Sequence, residues 1–291
     1  YKELIDRVAW HLSALDLSMW GDPLIVPDIF DMIRYAHDKG IWTYISSNLH
    51  AFKTDAAKMQ GERLVRSGLD MLTCSLHGAS QRTYEIYQPG KSFDEAVDKV
   101  RHIIATRNRM GSRTPEVQLN FVVMKQNEHE RAEFDRLAAE PGCKAVYSAP
   151  ALNTRFLDRD KQLQPLGLSP DRINRKTREH LHQWLPTDDE HVLEPYRRML
   201  QGDYTPQSFN GAKLFDCSWP WTAGVVNWDG QVVTCCGSFD PEEDMGNVFD
   251  RGLGPIWNSD KYRMARRSFK RKLTDAQAAD NPCATCPGFM V

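Results

Sequence analysis

The 291-residue sequence lacks the features that mark several broad classes of protein. No apolar run approaches the roughly 20 residues of a membrane-spanning helix, so we expect no membrane partner. Acidic and basic side chains nearly balance, with 37 Lys and Arg against 39 Asp and Glu and a formal net charge of -2. A protein that holds nucleic acid mainly by electrostatics carries a basic excess, so we do not expect nucleic acid as a partner.

Cysteine is scarce and unevenly spread. The seven cysteines are too few for a disulfide scaffold, which would be shorter and denser in cysteine. Five of the seven lie at or after residue 217, and two of these form the C-x-x-C pair Cys283-Ala-Thr-Cys286. In a chain that we expect to be cytoplasmic, such a pair beside further cysteines is typical of a metal or cluster site. The sequence therefore divides into a cysteine-poor body and a cysteine-rich tail.

Helix and strand patterns alternate in the body. Strands are predicted at 15–20, 41–46, 69–76, 117–124 and 145–149, and helices at 1–14, 27–37, 56–67, 80–87, 92–109 and 129–139. Strands separated by such helices indicate βαβ units and a mainly parallel sheet. About five strands are too few for a closed eight-stranded barrel, which leaves a barrel that lacks an N-terminal unit, or an open sheet. In either case the functional loops follow the carboxyl ends of the strands.

The rest of the chain is predicted as a linker and a small domain. Residues 157–211 are polar and contain helical stretches near 170–184 and 192–200. After residue 212, Asp229-Gly230 lies between two apolar stretches, which predicts a hairpin. A single helix is predicted at 254–269. The predicted divisions are therefore 1–156, 157–211 and 212–291.

Four cysteines of the tail form an ordered array. Cys217, Gly230 and Cys235 have the spacing C-x12-G-x4-C, and Cys283 and Cys286 follow as C-x2-C. Four thiolates suit either tetrahedral zinc or an iron–sulfur cluster. The spacing alone leaves both metals open.

This array resembles the SPASM/Twitch domain of radical S-adenosylmethionine (SAM) enzymes. Further matching segments of the tail are Cys235-Cys236, Met245-Gly246-Asn247-Val248, Ile256-Trp257-Asn258-Ser259, Tyr262 and Arg266. The body resembles the radical SAM barrel in Trp20-Gly21-Asp22-Pro23-Leu24, which is similar to the GGEP loop, and in Thr73-Cys74-Ser75-Leu76-His77-Gly78-Ala79 with Thr83-Tyr84-Glu85. The resemblance implies an α/β fold: a partial (βα)6 TIM-like barrel, truncated at its N-terminus, followed by a small hairpin-and-helix domain.

The resemblance also implies the cofactors and their residues. An auxiliary 4Fe–4S cluster would be bound by Cys217, Cys235, Cys283 and Cys286. SAM would be bound by Gly21, Asp22, Pro23, Ser47, Asn48, Ser75, Asn120 and Val122. Two residues are candidates for catalysis: Cys236 as a hydrogen donor, with packing as the alternative, and Arg155 facing substrate, with a solvated side chain as the alternative. Cys74, Cys143 and His77 are interpreted as structural.

Three departures from the family pattern set further expectations. The C-x3-C-x2-C loop that binds the catalytic 4Fe–4S cluster is not in this sequence, which begins with Tyr1 rather than Met. We expect that loop to precede Tyr1. If the native protein lacks it, radical chemistry is impossible and the protein is an inactive homologue. Gln88 stands where family members often have an arginine that holds the SAM carboxylate. The tail has cysteines for one auxiliary cluster, and a second would need cysteines beyond Val291.

The implied activity is reductive cleavage of SAM to a 5′-deoxyadenosyl radical, which abstracts a hydrogen atom from a small-molecule substrate. Oxidation or epimerisation of a sugar-like or aminocyclitol natural-product intermediate is the expected outcome, with flavodoxin or ferredoxin as electron donor. One alternative is a maturase that modifies a peptide. Another is a module without catalytic activity that binds zinc or a cluster.

Overall fold

The computed structural model describes residues 1–52, 57–152, 170–202, 217–238, 241–269, 273–274 and 281–286. The chain divides into two units, Tyr1–Ser148 and Ala149–Val291. None of the described helices is both long and apolar enough to cross a membrane. The predicted boundaries at residues 156 and 211 lie outside the described residues and stay predictions.

The first unit alternates helices and strands as predicted. Its strands are β1 (Ala14–Asp16), β2 (Trp42–Ser47), β3 (Met71–Ser75), β4 (Glu116–Val122) and β5 (Lys144–Ser148). Its helices are α1 (Lys2–Val8), α2 (Ile29–His37), α3 (Ala57–Arg66), α4 (Gln81–Tyr87), α5 (Phe93–Arg109) and α6 (Arg131–Ala139), with short 3-10 turns at Pro23–Ile25 and Glu128–Glu130. The prediction of one helix over 1–14 was wrong, because the chain leaves α1 at Val8 and Ser13 already accepts a hydrogen bond from the Trp42 amide.

The five strands form one parallel sheet in the order β1-β2-β3-β4-β5. Spatial order therefore follows chain order, as in a singly wound barrel, whereas a doubly wound open sheet reverses its order at a switch point. The predicted parallel sheet is confirmed, and its winding is that of a partial barrel. All five carboxyl ends lie at one edge.

Helices cover one face of this sheet. Side chains such as Ile45, Leu72 and Leu119 point to that face and are buried against Ile33 of α2 and Ile103 of α5. The residues between them point to the opposite face, because successive side chains of a strand alternate. That opposite face, called here the open face, carries partly exposed polar residues at its carboxyl end.

Glu130 fastens the loop after β3 to the start of α6. Its buried carboxylate accepts hydrogen bonds from the Ala79 amide at 2.8 Å, the Ser80 hydroxyl at 2.6 Å and the Thr83 hydroxyl. Ser80 also caps α4 by accepting from the Thr83 amide. Burial raises the pKa of Glu130, but the three hydrogen bonds outweigh burial and the net pKa is lowered.

We predict that Glu130→Gln lowers the free energy of unfolding by about 1–3 kcal/mol at pH 7, because an amide cannot accept all three bonds and its NH2 group faces donors. The folded pKa is depressed, so the contribution is complete above the unfolded value of 4.5 and is lost as the pH falls through the folded value. Urea unfolding at pH 7 and pH 3 measures both effects. Glu133→Gln, at an exposed ion pair with Arg136, is the control; equal losses in the two variants would contradict the prediction.

The second unit contains short elements. Its helices are α7 (Pro170–Trp184), α8 (Glu194–Gln201), α9 (Trp219–Thr222), α10 (Val248–Arg251), α11 (Leu253–Trp257), α12 (Asp260–Arg267) and α13 (Pro282–Thr285), with 3-10 turns at Asp189–His191 and Pro241–Glu243. Strands β6 (Val225–Val226), β7 (Gln231–Val233) and β8 (Gly246–Asn247) form an antiparallel sheet. The hairpin through Asp229-Gly230 is confirmed. The single helix at 254–269 was wrong: the chain breaks at Asn258, and Ser259 caps α12 by accepting from the Tyr262 amide at 3.2 Å.

Candidate functional site

Asp22 ties the loop after β1 to the end of β2. Its carboxylate accepts from the Ser47 hydroxyl at 2.8 Å, the Asn48 amide at 3.0 Å and the Leu24 amide at 2.9 Å. The side chain of Asp22 is therefore engaged within the protein. Gly21, beside it, has φ +84°, and a Cβ there would meet nothing within 4 Å. The exposed backbone at Gly21 thus leaves room for the close approach of a ligand.

Most of the polar groups at the end of β2 make hydrogen bonds within the protein. Ser47 is buried, and its hydroxyl donates to Asp22 while accepting from the Leu49 amide at 2.9 Å. The side-chain oxygen Oδ1 of Asn48 accepts from the His50 amide at 3.0 Å, and Pro23, also buried, opens the 3-10 turn. These contacts make Ser47 a positioning residue for the loop. Its prediction as a SAM contact stays untested.

Gln88, which stands where family members often have an arginine, has a nearby hydrogen-bonding partner. The Gln88 Oε1 atom lies 3.1 Å from Nε2 of His50, and the hydroxyl of Tyr84 lies 3.4 Å from the same nitrogen. Burial, followed by the charges of Lys91 and Lys99, lowers the pKa of His50. Sequence reasoning missed this pair because its members belong to different elements.

Three polar pairs run across the open face at its carboxyl edge. Adjacent strands are joined by Ser46–Ser75 at 3.2 Å, Gln118–Thr73 at 2.7 Å and Ser148–Asn120 at 2.9 Å. The predicted residues Ser75 and Asn120 both belong to this row. It presents hydroxyl and amide groups, and the register of the strands holds them in line.

His77 supports the neighbouring strand end. Its Nδ1 atom accepts from the Val122 amide at 3.1 Å, and its carbonyl accepts from the Asn127 side chain at 2.8 Å. Burial lowers the pKa of His77 to about 4, so the ring is neutral at pH 7. The structural interpretation of His77 agrees with these contacts. The backbone amide of Val122, another predicted SAM contact, is engaged by this histidine.

The four tail cysteines meet in the second unit. Cys217 precedes α9, Cys235 follows β7, and Cys283 and Cys286 lie in and just after α13. Burial raises the pKa of the Cys235 thiol, and the charges of Cys286 and Cys217 raise it further, while the Gly237 amide donates to its sulfur at 3.3 Å. The Cys283 sulfur lies 3.7 Å from the Thr234 hydroxyl. The array predicted from spacing is thus brought together.

The remaining predicted residues lie elsewhere. Cys236 occupies a turn beyond the end of β7, and its proposed role as a hydrogen donor stays a prediction. Cys74 is fully buried, and burial raises its pKa. Burial raises the pKa of Cys143 to about 11. A raised pKa disfavours the reactive thiolate, which agrees with the structural interpretation of both cysteines. Arg155 lies outside the described residues.

The donor set fits a cluster of several metal atoms. Four cysteine thiolates are the usual ligand set of a 4Fe–4S cluster, and all four of these cysteines are among the described residues. Two buried donors of the same unit, Arg266 Nη2 and Asn281 Nδ2, have no hydrogen-bond partner among the described residues. A sulfide-rich cluster supplies acceptors that such donors need.

Comparison with known proteins supports the same site. Residues 217–287 match the SPASM family, an iron–sulfur cluster-binding domain. Over 98% of its length the chain is 26% identical to Fe-coproporphyrin III synthase of Methanosarcina barkeri, covering 71% of that protein. It is 22% identical to the tungsten-containing aldehyde ferredoxin oxidoreductase cofactor-modifying protein of Pyrococcus furiosus, over 87% of this chain and 69% of that protein.

The fold is similar to that of Streptococcus suis SuiB, solved bound to S-adenosylmethionine. The TM-score is 0.60 at 14% identity, and the match covers 99% of this chain. The chain spans 64% of the SuiB chain. Together with the SPASM match over residues 217–287 and the similarity to the relatives, this likeness in fold supports the resemblance drawn from the sequence to radical SAM proteins with a C-terminal SPASM domain.

Gly230 shows why the array contains a glycine. Its φ is +85°, and a Cβ would lie 2.4 Å from the Phe249 ring and 2.9 Å from Asn247 Oδ1. Gly230 also donates its amide to the Asn227 carbonyl at 2.9 Å, closing the turn that leads into β7. Cys235 depends on this turn for its position.

We predict that Gly230→Ala destabilises the hairpin by about 1–3 kcal/mol, because a left-handed backbone and a steric clash combine. Bound iron per chain after anaerobic reconstitution should fall with it. Gly254→Ala is the matched control, since its Cβ would meet nothing within 4 Å and its φ is not left-handed. Normal iron content and thermal stability in Gly230→Ala would contradict the prediction.

Proposed function

We propose that this chain supplies the barrel and auxiliary-cluster parts of a radical SAM enzyme that oxidises or epimerises a small, hydroxylated, sugar-like molecule. The observation that carries the proposal is the convergence of Cys217, Cys235, Cys283 and Cys286 within a SPASM domain. When bound, SAM and its cluster supply a radical that takes a hydrogen atom from substrate, and the auxiliary cluster accepts or relays an electron.

The strand-end loops are suited to hold SAM. Gly21 has no side chain between its backbone and an approaching ligand. Asp22 fixes the same loop against β2 through hydrogen bonds from Ser47 and Asn48. His77 and Glu130 hold the neighbouring loops through buried hydrogen bonds. Rigid loops keep a bound ligand in one orientation, which is the main contribution that a protein makes to cofactor chemistry.

The open face favours a neutral, hydroxylated substrate. Its row of serine, threonine, glutamine and asparagine side chains both donates and accepts hydrogen bonds. Among the strand residues of that face, the single cation is Lys144, which pairs with Glu116 at 2.8 Å at the opposite end of the strands. A sugar-like molecule matches this row without needing a counter-charge from the strands.

A porphyrin substrate is the second candidate. It is favoured by the alignment of nearly the whole chain with Fe-coproporphyrin III synthase, and by matches to two AdoMet-dependent heme synthases. The carboxylates of a coproporphyrin would require cations outside the strand residues of the open face. We therefore rank the sugar-like substrate first.

The metal assignment is tested on the 291-residue chain. After anaerobic reconstitution we expect about four irons and four sulfides per chain, since four cysteines bind one 4Fe–4S cluster. Cys217→Ser should lose most of this iron, whereas Cys143→Ser, which alters a cysteine in the other unit, should retain it. Bound zinc in place of iron would favour the module without catalytic activity.

The reaction is tested on native-length protein given SAM and a strong reductant. Release of 5′-deoxyadenosine and binding of about eight irons, four in each of two clusters, are expected. Deuterium transfer into the nucleoside from a deuterated sugar, compared with a coproporphyrin, then separates the two substrate classes. Zinc without nucleoside formation would overturn the proposal.

A further inference from the structure

Arg266 is a half-buried cation of the second unit whose described contacts are all neutral. Its Nε atom donates to the Pro220 carbonyl at 2.7 Å, and Nη1 donates to the Trp257 carbonyl at 2.8 Å. The guanidinium also stacks over the rings of Trp257 at 4.5 Å and Tyr262 at 4.6 Å. Nη2 is buried without a hydrogen-bond partner among the described residues. A shielded cation with an unused donor is costly unless an anion lies nearby.

The helix that carries Arg266 packs between the cysteine-bearing segments. α12 contacts α9, which follows Cys217, and α13, which contains Cys283. Tyr262, one turn before Arg266 on the same helix, is close enough to Cys283 and Cys235 for their charges to raise its pKa, after burial as the largest cause. Arg266 itself holds the carbonyl of Pro220, three residues after Cys217. The guanidinium therefore belongs to the surroundings of the four thiols.

A cluster bound by the four cysteines would supply the negative charge and the hydrogen-bond acceptors that Arg266 lacks among its described contacts. Four thiolates make the site negative, and reduction adds one electron and therefore one more negative charge. A nearby cation stabilises the reduced form more than the oxidised form, and hydrogen bonds to sulfur act in the same direction. Both effects raise the reduction potential, so the cluster accepts an electron more readily.

We propose that Arg266 donates through Nη2 to a sulfur of the auxiliary cluster or of its cysteine ligands, and that its charge raises the reduction potential of that cluster. The inference rests on the proposed function, because it requires a cluster at Cys217, Cys235, Cys283 and Cys286. It assigns to this arginine a role in electron acceptance in addition to its packing role between α9 and α11.

The first test measures the midpoint potential of the reconstituted 291-residue chain by redox titration followed by EPR. In Arg266→Gln we expect the ratio of reduced to oxidised cluster at a fixed potential to fall at least tenfold, which is about 59 mV for one electron. Arg266→Lys keeps the charge and should change the ratio less than threefold. Arg263→Gln removes an exposed arginine of the same helix and should leave it unchanged.

A second measurement needs no substitution at Arg266. Wild-type chain containing ¹⁵N-labelled arginine, reduced and examined by pulsed EPR, should show nitrogen coupling to the cluster. The same coupling should persist in Arg263→Gln. This measurement decides the matter if Arg266→Gln fails to fold or to bind iron.

The outcomes separate the inference from its premise. A wild-type chain that assembles no cluster overturns the proposed function and this inference together. A cluster that assembles normally but shows no nitrogen coupling, or keeps its potential in Arg266→Gln, overturns the role of Arg266 alone.

Discussion

Each strand of the five-stranded sheet presents two faces of different chemistry, and helices cover one of them. Parallel sheets are usually apolar on both faces because helices pack on both. Here Ile45, Leu72 and Leu119 form the covered face, whereas the open face pairs Ser46 with Ser75 and Asn120 with Ser148 across strands. These polar groups therefore bond to each other across the strands. A ligand there must replace water with hydrogen bonds of its own.

The loops at the carboxyl edge are held by side chains that accept hydrogen bonds from other parts of the protein. Asp22 accepts from the β2 end, Glu130 from the α4 start, and His77 from the Val122 amide, which spans 45 residues of sequence. The polar side chains nearest the proposed SAM site therefore act largely by fixing backbone. Backbone held in this way keeps its shape before the ligand arrives, and binding then costs less ordering.

Periodicity and capping residues located most of the elements of the first unit, since amphipathic helices such as α5 carry their signal locally. The break at Asn258 was missed although Ser259, a favoured cap residue, was visible. β8 has two residues and gives no periodic signal. The convergence of the cysteines followed from their spacing. The pairs His50–Gln88 and Thr73–Gln118 could not be predicted, because they depend on which strands become neighbours.

The second unit has a small described core around its cysteines, in which Val232, Ile256 and Tyr262 are fully buried but the strands are only two or three residues long. Such elements bury too little apolar surface to be stable alone, and small domains commonly add metal ligation. Metal that binds only the folded form stabilises that form. A cluster bound by Cys217, Cys235, Cys283 and Cys286 would link residues near both ends of the domain. The four bonds from the cluster to the cysteine sulfurs would then serve both the transfer of electrons and the stability of the fold.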